Sequence, residues 1–178
     1  MTGVVLRPGT RADREDLTTL LAGLSPESAY QRFQTAIGIR PTRAVVDALL
    51  PDGVCGTALL AYVGDALVGH GVWIRVGASR VAEIAVLVAD DHQQQGIGTE
   101  LAAALLADAA ARGISQVEVF SGTGNRAVHR MVARQAPGAD RTRDGATVSY
   151  VFAVDRPRAS RTGSPTTVSS GPRRPSAA

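Results

Sequence analysis

Glu83-Ile-Ala-Val-Leu-Val-Ala-Asp-Asp-His-Gln-Gln-Gln-Gly-Ile-Gly-Thr99 is the stretch on which the fold turns. Glu83 to Val88 is apolar and rich in β-branched residues, as an interior strand requires. A polar loop follows, and Gly96 and Gly98 stand at the mouth of an alanine- and leucine-rich run to Arg112 with good helix propensity, closed by Gly113. The first N–H groups of a helix have no intrahelical partner and sit at its positive dipole end. Glycines there let a phosphate approach the main chain, so the junction is suited to an anion, and a diphosphate fits that description. A dinucleotide fold would place such glycines after the first strand and add a third. Here they come deep in the chain.

Three strand-like runs, Thr57 to Val63, Leu67 to Val76 and Val81 to Val88, are separated by Gly64-Asp65 and Gly77-Ala78-Ser79, the pattern of an antiparallel meander. Val4 to Arg7 is a short strand ended by Pro8-Gly9, and Thr10 caps a helix with Leu17, Leu20, Leu21 and Leu24 at helical spacing. Ser25-Pro26 opens a second helix, and Thr42 precedes a third that runs to about Leu50. Beyond the long helix lie a strand at Gln116 to Phe120, a helix at Asn125 to Arg134, a break at Pro137-Gly138 and a closing strand at Ala146 to Val154. The fold class is α+β around one mixed, mostly antiparallel sheet flanked by helices.

The 178 residues suffice for one domain with its own core, expected at 2–154. Residues 155–178 are Arg/Ser/Pro-rich with little to bury and are expected to be a disordered tail. Five of the 19 basic residues lie in that tail against Asp155, so the formal +3 falls to about −1 for the rest. The sequence pI near 9.7 is therefore a property of the tail, and no nucleic-acid-binding face is expected. The chain contains no lysine; every basic residue is arginine. One cysteine, Cys55, excludes an intrachain disulfide and fits a cytoplasmic setting. No signal peptide, transmembrane segment or membrane partner is expected. His70 and His92 lack metal-ligand spacing, so no metal is expected.

Gln93-Gln94-Gln95-Gly96-Ile97-Gly98 matches the Gln/Arg-x-x-Gly-x-Gly/Ala signature at the strand–helix junction, and the sequence here resembles the GNAT-type N-acetyltransferases. The order of elements over 2–154 and Asn125 at the start of the later helix agree. Leu6-Arg7-Pro8, Leu24-Ser25-Pro26-Glu27-Ser28-Ala29-Tyr30-Gln31-Arg32-Phe33, Ala82-Glu83 and Ala89-Asp90-Asp91 extend the resemblance to the protein-lysine acetyltransferase branch, which modifies acetyl-CoA synthetase and similar enzymes. The acyl-CoA synthetase-like and cyclic-nucleotide-binding domains fused in some of that branch are not in this sequence.

The resemblance implies acetyl-CoA as co-substrate. It implies main-chain contact from Val86, Leu87 and Val88 to the pantetheine arm, with Gln93, Gln94, Gln95, Gly96, Ile97, Gly98 and Thr99 around the diphosphate. Chemistry agrees, since a free strand edge pairs with the pantetheine amides as with another strand. Acyl transfer needs a neutral amine, whereas a lysine ammonium has a pKa of about 10.4, so a base is required. Glu83 is the candidate: it is the acid within the strand pattern, at the position that the resemblance assigns to the catalytic glutamate. A backbone N–H near Val86 is expected to face the developing oxyanion.

Relatives place a tyrosine acid seven residues after the asparagine, where this chain has Val132. A thiol of pKa about 8.5 can leave unassisted, and His129 is either a substitute acid or, as such a residue commonly is, an exposed helical histidine. Asn125 serves either pantetheine or its own helix as a cap. Arg126, Arg130 and Arg134 form a helical stripe, solvated or facing a phosphate. Cys55 lacks a nearby base and is expected to be a bland residue.

The expected function is transfer of an acetyl group from coenzyme A to a primary amine, with protein lysine leading and a small amine (polyamine, amino acid or aminoglycoside) second. A non-catalytic acyl-CoA-sensing module would keep the glycine loop and owe nothing to Glu83.

Overall fold

A computed structural model describes residues 3–34, 41–51 and 53–154. The expected tail, 155–178, and the expected first residue of the domain lie outside the described residues.

Seven strands form one sheet in the order β1-β2-β3-β4-β5-β7-β6, comprising β1 (Val4–Pro8), β2 (Gly56–Val63), β3 (Ala66–Arg75), β4 (Val81–Val88), β5 (Gln116–Gly122), β6 (Asp140–Asp144) and β7 (Thr147–Ala153). Among the described strands, β4 and β5 alone pair in parallel. The helices are α1 (Arg14–Ala22), α2 (Pro26–Phe33), α3 (Arg43–Ala48), α4 (Ile97–Ala111) and α5 (Arg126–Gln135). The expected mixed, mostly antiparallel α+β sheet is the one found.

One strand escaped the sequence reading. β6 is Asp-Arg-Thr-Arg-Asp, exposed at all five positions, and pairs with β7 as the sheet's edge. With no apolar face it carries no alternation to detect, and its charges suit an edge strand.

The middle strands alternate between two helical layers. Ala82 and Ile84 pack with Trp73, Leu105, Ala109 and Val117 beneath α4, whereas Leu87 joins Val72, Leu17, Leu21, Val46 and Leu50 beneath α1 and α3. Burying each large aliphatic side chain contributes roughly 2 kcal/mol. Helix α4 lies close because Gly69 and Gly71 face it: a Cβ on Gly71 would come within 2.6 Å of Leu105 Cδ1. Period two places Glu83, Ala85 and Leu87 on the α1–α3 face, and Val86 and Val88 on the α4 face.

Local caps mark the 3-10 turn at Arg11–Asp13 that leads into α1, and the start of α2. Thr10 Oγ1 accepts from Ala12 N at 3.3 Å, while Thr10 N donates to Asp13 Oδ2 at 2.7 Å, a reciprocal capping box. Ser25 Oγ accepts from Ser28 N ahead of Pro26 at the first helical position.

Candidate active site

β4 and β5 pair only at Val81↔Gln116, Ala82↔Val117 and Glu83↔Glu118; beyond that rung they separate. β5 continues on its other side with β7 as far as Gly122↔Thr147. The wedge opens a cleft of about 780 Å³ between β4, the β4–α4 loop and α5.

The ladder on the β3 side fixes which main-chain groups of β4 face this wedge. Val76 N donates to Val81 O and Ala89 N to Val68 O, both at paired positions of the antiparallel register. Hydrogen-bonded and non-bonded pairs alternate. His70↔Leu87 and Val72↔Ala85 are therefore bonded pairs, and Gly71↔Val86 and Gly69↔Val88 are not. Val86 and Val88 direct their N–H and C=O groups into the cleft. Leu87 does not: its main chain is engaged with His70, so of the three residues expected to offer backbone to pantetheine it is the one whose N–H and C=O are already taken.

The loop closes the wider end of the wedge. Gln94 (φ 62°) and Gly96 (φ 92°) are both left-handed, and these two reversals bring the start of α4 to the cleft. Thr99 N and Glu100 N donate back to Gly96 O, whereas the N–H groups of Ile97 and Gly98 have no partner among the described residues. Gln93, Gln94, Gly96, Ile97, Gly98 and Thr99 line the cleft. Gln95 does not; the reversals turn it outward, where its Nε2 donates to Asp91 O at 3.2 Å. Gln93 reaches the wall, but its side-chain amide donates to Val88 O and to Ser28 Oγ, each at 3.2 Å, so it braces the loop.

That brace belongs to a cluster that spacing in the sequence does not reveal. Asp90 accepts from Ser28 Oγ at 2.6 Å, Ser25 N at 2.9 Å and Ser25 Oγ at 3.0 Å, tying the start of α2 to the loop. Burial pushes the Asp90 carboxyl upward, but these donors outweigh it and hold it below the usual range.

Across the cleft, Asn125 both caps α5, accepting from Val128 N at 3.2 Å, and lines the wall. Val132 occupies the expected tyrosine position and also lines it. Arg130 and Arg134 face the cleft; Arg126 does not. His129 turns to the sheet instead. Its Nε2 meets Thr123 O at 3.1 Å and its Nδ1 meets Tyr150 Oη at 2.7 Å. A carbonyl can only accept, so Nε2 carries the proton and Tyr150 donates to Nδ1. His129 is thus no acid for the cleft.

Glu83 is exposed on the other face of β4, in a second cavity of about 480 Å³ bordered by Phe33, Ile74 and Val76. The two cavities share Arg32, Ile84 and Ala85 as walls. Beneath lies His70, wholly buried, with Nε2 2.8 Å from Leu49 O. Burial, seconded by the Arg32 charge, lowers its pKa to about 4, so it is neutral and donates from Nε2. Cys55 is exposed and free.

A splayed strand pair, a glycine-bearing helix mouth and an acid beside the splay are accompanied by a direct match of residues 23–136 to the acetyltransferase (GNAT) family. The chain belongs to that family. It is similar to the uncharacterized N-acetyltransferase YvbK of Bacillus subtilis, 30% identical over 115 residues that make up 65% of this chain and 71% of YvbK. It is 29% identical over 133 residues to acetyltransferase Pat of Mycolicibacterium smegmatis, covering 72% of this chain but 39% of that protein. Among solved structures, the GNAT domain of S. lividans PAT superposes with a TM-score of 0.75 at 25% identity, over 83% of this chain and 89% of that domain. The chain is an N-acetyltransferase of this family with acetyl-CoA as its co-substrate, and its likeness lies with the Pat branch.

Proposed function

We propose that the protein is a cytoplasmic enzyme that transfers the acetyl group of acetyl-CoA to the side-chain amine of a protein lysine, with Glu83 as general base. The observation that carries this is the meeting of two cavities across β4. The outward N–H and C=O groups of Val86 and Val88 open into one, the Glu83 carboxylate opens into the other, and Ile84 and Ala85 border both.

In the first cavity the free edge of β4 pairs with the pantetheine amides, Ile97 and Gly98 N–H take the diphosphate, and Arg130 and Arg134 supply further positive charge to the anionic end. The second cavity receives the acceptor. Half-exposed Ile74, Val76 and Phe33 suit the four methylenes of a lysine stem. Glu83 takes the ammonium proton, directly or through one water. The freed nitrogen attacks the thioester carbonyl, the developing oxyanion is met by Val86 N–H, and coenzyme A leaves as thiolate. No side chain is assigned as acid, because Val132 stands where one would act and His129 faces away.

Purified protein with acetyl-CoA, assayed for thiol release in the presence of a lysine-bearing protein lysate or a panel of small amines, tests the acceptor. Release with the lysate is expected, and the chain's lack of lysine removes side-chain self-acetylation from the background. Release driven only by one small amine overturns the lysine reading. Saturable acetyl-CoA binding without release from any acceptor would instead identify an acyl-CoA sensor.

A further inference from the structure

Arg32 is the charged residue at the wall between the two cavities. It leaves the last turn of α2, half-buried, with its guanidinium carbon 4.9 Å from the Phe33 ring centre. Its Nε is fully enclosed and has no hydrogen-bond partner among the described residues. Burial lowers its pKa to about 10, opposed by the charge of Glu83, so it remains a cation at neutral pH. Glu83 is near enough to be felt and makes no hydrogen bond to it.

An enclosed Nε–H with no acceptor among the described residues is costly, and the rest of the guanidinium lines the two cavities, where an anion can reach it. Arg75 also borders the acceptor cavity, but its guanidinium is engaged on the other face of the sheet, with Nη1 donating to Ser79 O at 2.9 Å and Nη2 to Arg112 O at 3.4 Å. Arg32 is thus the cation beside Glu83, and a cation there suits an amine that brings its own anion.

Resting on the lysine-acetylation reading, the geometry points to Arg32 as a specificity residue that binds a carboxylate of the acceptor, selecting lysines with an acidic group close by. That carboxylate belongs to a flanking Asp or Glu, or to the lysine's own main chain at a C-terminus. It docks on Arg32 while the amine turns to Glu83. The planar fork favours arginine over lysine for this task.

The test uses the full chain and N-acetylated, C-amidated lysine pentapeptides with Glu, Gln or Lys flanks. Nα-acetyl-lysine and its amide separate the two carboxylate sources, and acetyl-CoA and succinyl-CoA serve as alternative donors. The wild type is expected to favour acidic over neutral flanks by on the order of tenfold in kcat/KM, carried by KM. That ratio should fall toward one in Arg32→Gln and be intermediate in Arg32→Lys. Coenzyme A binding and melting temperature verify that each variant is folded; should Arg32→Gln fail that test, Arg32→Lys and the wild-type series decide. Equal rates across flanks, or a preference that survives in Arg32→Gln, overturns the inference. So does an Arg32-dependent preference for succinyl-CoA without a flank effect, which would assign the arginine to the donor. Acetyl-CoA binding with no turnover of any amine is a distinct result: it refutes the enzymatic reading, and this inference with it.

Discussion

Glu83 of β4 stands level with Glu118 of β5 on the last rung at which the two strands pair. Below it the sheet is continuous; above it the strands part and the cleft begins. The catalytic candidate therefore sits at the base of the wedge, on the opposite face of β4 from Val86, the residue whose N–H enters it. The proposed proton acceptor and oxyanion donor lie on one strand and are thereby held in fixed relation.

Gly96→Ala should weaken acetyl-CoA binding. At φ 92° a β-carbon is strained whatever the surrounding space, and none of the surroundings obstructs it. The strain costs about 1–2 kcal/mol. Relief by rotating the peptide moves the first N–H groups of α4 off the diphosphate, so KM for acetyl-CoA should rise on the order of tenfold while the melting temperature falls by a few degrees. An unchanged KM would show that the loop does not hold the diphosphate.

Asp90→Asn removes the charged acceptor joining Ser25 and Ser28 to the loop. The loss should be about 1–2 kcal/mol of stability, with charge-assisted bonds replaced by neutral ones. Since the same cluster braces Gln93, KM for acetyl-CoA should rise as well; steady-state kinetics beside a urea titration separate the two effects.

Asp13 supplies a pH signature. The Arg7 guanidinium, 2.6 Å away, outweighs burial and with the Thr10 donors lowers the carboxyl from the usual 3.8 to about 2. The folded state thus binds this proton less readily than the unfolded chain. Its stabilisation is complete above about pH 4 and is lost as pH falls toward about 2. Asp13→Asn should lower the melting temperature at neutral pH and lessen its dependence on pH across that window; an acid limb of undiminished slope would contradict the assignment.

Arg130→Gln together with Arg134→Gln should raise KM for acetyl-CoA by severalfold at low salt, with the difference shrinking as ionic strength rises, because both side chains are exposed. Arg126→Gln is the internal control, being outside the cleft wall. A salt-independent effect would mean that the pair acts through packing.

Much of this architecture is legible in the residues. Apolar runs punctuated by Gly64-Asp65 and Gly77-Ala78-Ser79 mark β2 to β4, the glycines at 96 and 98 mark the helix mouth, and Gly113, found at φ 85°, marks the helix end. What was hidden depends on contacts distant in sequence. The Asp90–Ser28 bond spans 62 positions. The difference between Leu87 and its neighbours follows from the phase of the β3–β4 ladder, which composition does not encode. Arg32 looks like any arginine on an amphipathic helix until its surroundings are known. β6 carried no apolar signal, and His129 resembled an exposed helical histidine because the Tyr150 that binds it lies 21 residues away.

The most direct test of the account compares wild type with Glu83→Gln for coenzyme A release from acetyl-CoA with a lysine-bearing acceptor, and measures coenzyme A affinity of both by titration. Loss of a general base predicts a fall in kcat of roughly 10²-fold or more with affinity retained. Turnover undiminished in Glu83→Gln would contradict the assignment of Glu83 as the base.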